Sequence, residues 1–274
     1  MSVAVKDAFG NPFELAEPAR RIVSLIPSIT EIFFRLGVGD RVVGVTKFCT
    51  EPPEGVATKP KVGGQKNPRI VAINDLKPDL VVANVEENRK SDVEAMGAAG
   101  LSVLVTYPRT VREGIQLIQD LSVLTGTTGH AQAIVAECEA ALAEVGLRGR
   151  TPVRIFCPIW RKPYMTINGD TYVDDMLRTC GGDNIFRDRP ERYPTVTLEE
   201  MAALRPEVIL LPDEPYPFSE NHVTEFQTFL DVPAVRNRRI CLMDGKALCW
   251  YGPRIPESLR TLADILLPLT REKY

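Results

Sequence analysis

Between Thr127 and Val145 the apolar residues Ala131, Ile134, Val135, Cys138, Leu142 and Val145 fall at mostly three- and four-residue steps. Residues so spaced share one face of a helix. Thr127 or Thr128 can cap its first turn, and Gly146 and Gly149 can end it in a left-handed turn. The spacing predicts one long helix near the middle of the chain. On either side the pattern changes to continuous apolar runs after a turn, LKPDLVVA at 76–83 and LRPEVILL at 204–211. Such a run reads as a strand buried on both faces, as in parallel sheets covered by helices. A second pair, FFRLGVGDRVVGV (33–45) and MLRTCGGDNIF (176–186), ends a helix in glycine and turns on Gly-Asp into apolar residues. The halves share a plan without being copies. The fold class that follows is α/β: two doubly wound α/β lobes, 1–126 and 150–274, joined by a single long backbone helix over 127–149.

The remaining elements follow in order. DAFGNPFEL (7–15) reads as a hairpin around Gly10-Asn11. RIVSLIP (21–27) is a strand stopping at Pro27, and SITE (28–31) reads as a capping box. Ile29, Ile32, Phe33 and Leu36 make the inner face of the helix that Gly37 ends. Strands at 41–48, 79–84 and 102–108 and a helix over 111–125 complete the first lobe. The second lobe has a strand at 153–160, a helix capped by Asp170 and stopped at Gly181-Gly182, strands at 207–212 and from 239, and a closing helix from Ser258 to Leu269.

Composition narrows the function classes. At 274 residues, 44% apolar and 25% charged, the chain can fill two cores. A net charge of −3 and the lack of a basic run give no reason to expect nucleic acid. No apolar stretch approaches bilayer length. The first residues lack a signal peptide's basic start and apolar middle, which favours the cytoplasm for this chain as it stands; a removed leader would mean the periplasm or the cell exterior. The six cysteines show no metal-ligand spacing, and Cys138, Cys157 and Cys241 sit in apolar patterns as small core residues.

Open α/β sheets bind ligands beyond the carboxyl ends of their strands, so the loops leaving those ends carry the candidate chemistry. In the first lobe they hold Phe48, Lys66, Asn67, Glu86, Asn88 and Arg109. In the second they hold Trp160, Arg161, Tyr164, Glu214, Tyr216, Phe218, Trp250, Tyr251 and Arg254, including both tryptophans of the chain. Apolar walls with a few polar anchors suit a medium-sized ligand held in a cleft between the lobes. Nucleophile elbows, phosphate loops, zinc motifs and dinucleotide fingerprints are absent from the sequence. With only His130 and His222, histidine-based acid–base schemes have few candidates. His130 reads as structural, and His222 as a candidate metal ligand. The expectation is a binding protein rather than an enzyme, with no catalytic cofactor.

The order of the SITE helix, GVGDRVVGVT, the KVGG loop, LKPDLVVAN, the long helix, LRTCGGDNIF and RYPTVTLEEMAALRPEVILL resembles the helical-backbone substrate-binding proteins of ABC importers. These serve vitamin B12, haem and iron siderophores, and within them the chain is most similar to the vitamin B12-binding branch. The resemblance spans nearly the whole chain. It implies a monomer of two lobes with only small hinge motion, a corrinoid ligand and an ABC permease as partner. It also implies one acidic docking residue per lobe: Glu199 in the second, with Arg69 standing where the first-lobe glutamate is expected. The branch pairs the CGG cysteine with one in the last helix; here Cys180 is present, but ESLRTLADILLP has no cysteine. Together with the missing leader, these departures point to a relative that binds a similar ligand away from an importer. A ferric siderophore or haem is the alternative ligand, favoured by cationic Lys66, Arg109, Arg161 and Arg254, with His222 and Tyr216 as iron ligands. A cytoplasmic corrinoid-handling enzyme or chaperone is the alternative of another class.

Overall fold

The computed structural model describes residues 2–145, 150–269 and 271–272. Gly146 and Gly149, expected to end the long helix, lie outside the described residues. The chain divides into two compact units. The first holds Met1–Pro108, Arg112–Cys138 and Tyr251–Pro253; the second holds Arg109–Val111, Glu139–Trp250 and Arg254–Tyr274.

The first unit opens on a hairpin of β1 (Val3–Lys6) and β2 (Pro12–Leu15). Its turn is tied by the Asp7 carboxylate, which accepts from the N–H groups of Phe9 (2.9 Å) and Asn11 (2.8 Å). The chain continues through β3 (Ile22–Ser24), α1 (Pro27–Arg35), β4 (Val42–Val45), α2 (Pro53–Ala57), β5 (Gly63–Gly64), β6 (Asn67–Pro68) and α3 (Ile70–Asp75). Then come β7 (Leu80–Asn84), α4 (Lys90–Ala98), β8 (Val103–Thr106), α5 (Val111–Thr125) and α6 (Thr128–Val145). The main sheet runs β4-β3-β7-β8, all parallel.

The second unit contains β9 (Arg150–Thr151), β10 (Val153–Phe156), β11 (Tyr164–Met165), α7 (Tyr172–Thr179), β12 (Gly182–Asn184), β13 (Thr195–Val196) and α8 (Leu198–Ala203). It continues with β14 (Val208–Pro212), α9 (Glu220–Phe226), α10 (Pro233–Arg236), β15 (Ile240–Met243), α11 (Lys246–Cys249), α12 (Ile255–Leu266) and β16 (Arg271–Glu272). Its sheet runs β12-β10-β14-β15, again all parallel. In both sheets the order is second, first, third, fourth strand. The direction of winding therefore reverses between β3 and β7 and between β10 and β14, where α/β sheets open a crevice at their carboxyl ends. Every residue of β7 and β14 is buried, as a strand covered on both faces requires.

The same lock closes the approach to each third strand. The residue before proline adopts a left-handed backbone in both units, Lys77 at φ 48° and Arg205 at φ 51°. The Arg21 guanidinium donates to the carbonyl of Leu76 at 2.6 Å, and that of Arg154 to Leu204 at 2.7 Å, satisfying carbonyls that a helix end leaves open. Asp79 accepts from the Arg21 N–H at 3.0 Å, and Glu207 from the Arg154 N–H at 3.1 Å.

Several local expectations are corrected. The capping box at 28–31 does not form, because α1 begins at Pro27, whose missing N–H costs nothing at a first helical position. Ser28 is buried, and the Thr30 hydroxyl donates back to the Ile26 carbonyl at 2.9 Å. Thr171, not Asp170, caps α7, accepting from the Asp174 N–H at 3.2 Å. The apolar face of α6 is buried at Ala131, Ile134, Cys138, Ala141 and Val145, with Val135 and Leu142 half-buried. Thr127 precedes that helix with its hydroxyl 2.8 Å from that of Thr125. All six cysteines are free; Cys138 and Cys157 are buried, whereas Cys241, on the edge strand β15, is only half-buried. The Cys180 thiol donates to the Leu259 carbonyl at 3.4 Å, and burial pushes it up to about 12. No helix among the described residues is long and apolar enough to cross a membrane.

Candidate functional site

In the second unit the exits of β10 and β14 bring six of the sequence candidates together. Trp160, four residues beyond β10, is 44% exposed. It meets Tyr216, from the loop after β14, edge to face at 5.6 Å between ring centroids. Tyr216 packs on Phe218 at 4.8 Å, and Tyr164 stacks on Phe218 at 6.4 Å with the rings 10° from parallel. Phe218 is itself buried, joining a core that includes Phe156, Phe186 and Phe226, and it supports the surface from beneath. The arrangement presents an aromatic ledge on a fixed base, each ring held by another.

Charge on this ledge is already neutralised. Arg161 clamps Glu225 with two parallel bonds, Nη2 to Oε1 and Nε to Oε2, the latter at 3.1 Å. The Tyr164 hydroxyl donates to Oε2 at 2.7 Å. The Arg161 guanidinium holds the Glu225 carboxyl below its ordinary value, while burial, and then Glu225, push the Tyr164 phenol up. Glu225 was not legible in the sequence: it sits in α9 at a polar position of ENHVTEF that no motif marks.

His222, the candidate metal ligand, lies in α9 against the Tyr216 ring. Its Nδ1 accepts from the Ser219 N–H at 3.0 Å as the capping partner of α9, which leaves the ring proton on Nε2, 3.3 Å from the Tyr216 hydroxyl. Both ring nitrogens are therefore engaged. No group of three metal-ligating side chains occurs among the described residues.

A second cluster gathers Glu214, Trp250 and Arg254. Trp250 is only 4% exposed, with the Arg254 guanidinium 5.3 Å and the Lys246 ammonium 5.1 Å from its ring centroid. Its indole N–H donates to Glu214 Oε1 at 3.3 Å, and burial raises the Glu214 carboxyl above its ordinary value. Trp250 is a buried platform for two cations. Beside it, Arg254 lines a recess of about 100 Å³ with Met243, Asp244, Ala247, Glu257, Ser258 and Thr261.

Arg109 and Tyr251 each belong to the other unit from the one expected. Arg109 pairs with Asp170 at 3.2 Å, and Arg192 takes the other Asp170 oxygen at 2.8 Å. Tyr251 is buried in the first unit, where its hydroxyl accepts from Asn84 Nδ2 at 3.0 Å.

The first-unit loops are polar and mutually tied. The Lys66 ammonium donates to the Glu86 carbonyl at 2.5 Å, and the Gln65 amide to Glu87 at 2.8 Å. Asn88 is buried: it accepts from the Asn84 N–H at 2.8 Å and donates to the Gln65 carbonyl at 2.9 Å. Asn84 Oδ1 in turn accepts from the Glu86 N–H at 2.8 Å. Phe48 is half exposed and Asn67 is exposed, on either side of Gly64, where a Cβ would lie 2.6 Å from Asn67 Oδ1 and 3.2 Å from the Phe48 ring.

Glu199 and Arg69 do not occupy matching places. Both α3 and α8 run six residues into the left-handed turn, but Arg69 is the N-cap of α3, as Thr197 is of α8. The counterpart of exposed Glu199, the second helical residue, is Val71, which is 76% exposed. The Arg69 guanidinium instead donates to the Lys61 carbonyl.

Comparison with known proteins agrees with this architecture. A vitamin B12-binding protein of Vibrio cholerae is 28% identical over 267 residues, 96% of this chain and 94% of the relative. The crystal structure of the Vibrio cholerae periplasmic vitamin B12-binding protein superposes with a TM-score of 0.80 at 24% identity, covering 90% of this chain and 96% of that one. A periplasmic haem-binding protein of Roseiflexus superposes with a TM-score of 0.78 at 27% identity, covering 90% and 97%. The cytoplasmic preference drawn from the first residues finds no support in these relatives. A family model described as periplasmic binding protein matches residues 22–247, and the chain belongs to that family.

Proposed function

We propose that the protein binds a corrinoid, with the macrocycle lying against the exposed ring of Trp160 and its neighbour Tyr216. The observation that carries the reading is that ledge: an exposed indole, braced by a second ring, beside a cation already paired with a carboxylate. A large flat ligand edged with neutral amides suits such a surface. The relative named for vitamin B12 supports the same choice. Of the four cations that would favour an anionic chelate, Arg109 and Arg161 are paired with Asp170 and Glu225, Arg254 lies over Trp250, and Lys66 is bonded to a carbonyl.

The partner we propose is an ABC permease, reached outside the cytoplasm, through exposed Glu199 in the second unit and Val71 in the first. Calorimetric titration with cyanocobalamin tests the ligand: a saturable isotherm of micromolar or tighter affinity is expected. No corrinoid binding, together with tight binding of haem or a ferric chelate, would replace the reading.

A further inference from the structure

We infer that Glu225 is a specificity-determining residue, whose carboxylate cancels the charge of Arg161 and so turns away anionic chelates from the aromatic ledge. The inference rests on the proposal that this ledge is the ligand surface.

The geometry holds the two charges together as a bidentate pair. Glu225 receives both the Nε and the Nη2 of Arg161, the fork in which guanidinium and carboxylate match best, and the Tyr164 hydroxyl fixes the oxygen that Nε contacts. The Arg161 and Glu225 side chains are only 19% and 30% exposed, so the pair is less screened than a surface one. The partners of this clamp are the rings of the ledge itself. Tyr164, which anchors Glu225, stacks on Phe218, and Phe218 packs on Tyr216. Glu225 stays ionised at neutral pH, because Arg161 holds its carboxyl below the ordinary range. An anionic ligand placed on Trp160 and Tyr216 would meet a guanidinium whose Nε–Nη2 edge is occupied and a carboxylate that repels it. A ligand without net charge meets neither penalty. Like charges brought together in an interface discriminate strongly against the wrong partner, so a carboxylate here acts chiefly by exclusion.

The test measures selectivity, defined as affinity for a ferric tris-catecholate chelate, which is anionic, divided by affinity for cyanocobalamin, which carries no net charge. Glu225→Gln keeps the shape and removes the negative charge. Its selectivity should rise roughly tenfold or more toward the anionic chelate, in proportion to one uncompensated guanidinium beside the ligand. Arg161→Gln leaves the carboxylate unopposed and should move selectivity the other way, and Glu225→Asp should restore the wild-type ratio in part. Raising the salt concentration should shrink both shifts. A purely structural role would move both variants in the same direction, and that outcome, or no shift in either, overturns the inference. Should Glu225→Gln fail to fold, Arg161→Gln, which keeps the bond from Tyr164 to Glu225, decides by the sign of its shift. Failure of the corrinoid reading is visible separately, as absence of cyanocobalamin binding to the wild type. The charge inference is then judged on the chelate alone, whose affinity must still rise in Glu225→Gln and fall in Arg161→Gln.

Discussion

The two units share a scaffold and differ at its mouth. Their sheets have the same strand order, and the same arginine, acidic residue and left-handed turn lock the third strand into each. Beyond the third strand they part. After β7 the chain is held by amides and carboxylates, with Asn84, Asn88, Gln65 and Lys66 bonded into one strap. After β14 it is held by rings, with Tyr216 and Phe218 packed on Trp160, Tyr164 and His222. The difference teaches that a shared frame is maintained by the same few bonds, while the loops it carries are free to diverge.

If the frame is truly shared, equivalent core truncations should cost alike. Leu80→Ala in β7 and Leu210→Ala in β14 each remove a wholly buried side chain, so each should lose about 2–5 kcal/mol. Denaturant melts would break the comparison if one proved nearly neutral. If the mouths differ as described, binding should respond unequally. Trp160→Ala should weaken cyanocobalamin by roughly tenfold or more, as loss of an aromatic anchor does, and Asn67→Ala by less than about threefold. Equal losses would move the site toward the polar strap.

The scaffold was legible in the sequence because it is written in periodicity. The two apolar runs after Lys-Pro and Arg-Pro became β7 and β14, and the step pattern from Ala131 to Val145 became the buried face of α6. The loops at the carboxyl ends of the strands were legible as regions. The burial and pairing of side chains within them were not, because these are decided by tertiary contacts with no local signature. Trp160 and Trp250 look alike in the sequence, yet one is 44% exposed and the other 4%. Asn88 lay among the loop candidates and is buried. Glu225 and Asp170 act through arginines 64 and 22 residues away along the chain. Arg69 is the N-cap of α3, which carries no motif, whereas α8 announces its own cap through Thr197 and Glu200.

Smaller effects sharpen the same contrast. Burial raises the Glu214 carboxyl, so folding favours its protonated form. Its contribution to stability is complete below the ordinary value of 4.5 and is lost as pH rises through the raised folded value. Glu214→Gln, which keeps an acceptor for the Trp250 indole, should therefore raise the melting temperature at pH 7 and have little effect at pH 4. A gain of the same size at both pH values would contradict that cause. Smaller still, Val71→Glu should increase binding to a reconstituted B12-type importer by giving α3 the acid that α8 already has at Glu199, while Arg69→Glu should do less. Stronger binding with Arg69→Glu than with Val71→Glu would reverse the assignment of the matching positions.

The chain has two tryptophans, and they separate the ledge from the platform in one fluorescence titration. In the Trp250→Phe protein only Trp160 emits; in the Trp160→Phe protein only Trp250 does. With cyanocobalamin as titrant, strong saturable quenching of Trp160 is expected at the wild-type midpoint. In the Trp160→Phe protein the midpoint should shift to higher concentration. Wild-type affinity in the Trp160→Phe protein, or no saturable quenching of Trp160, would contradict the claim that the exposed ring of the second unit receives the ligand.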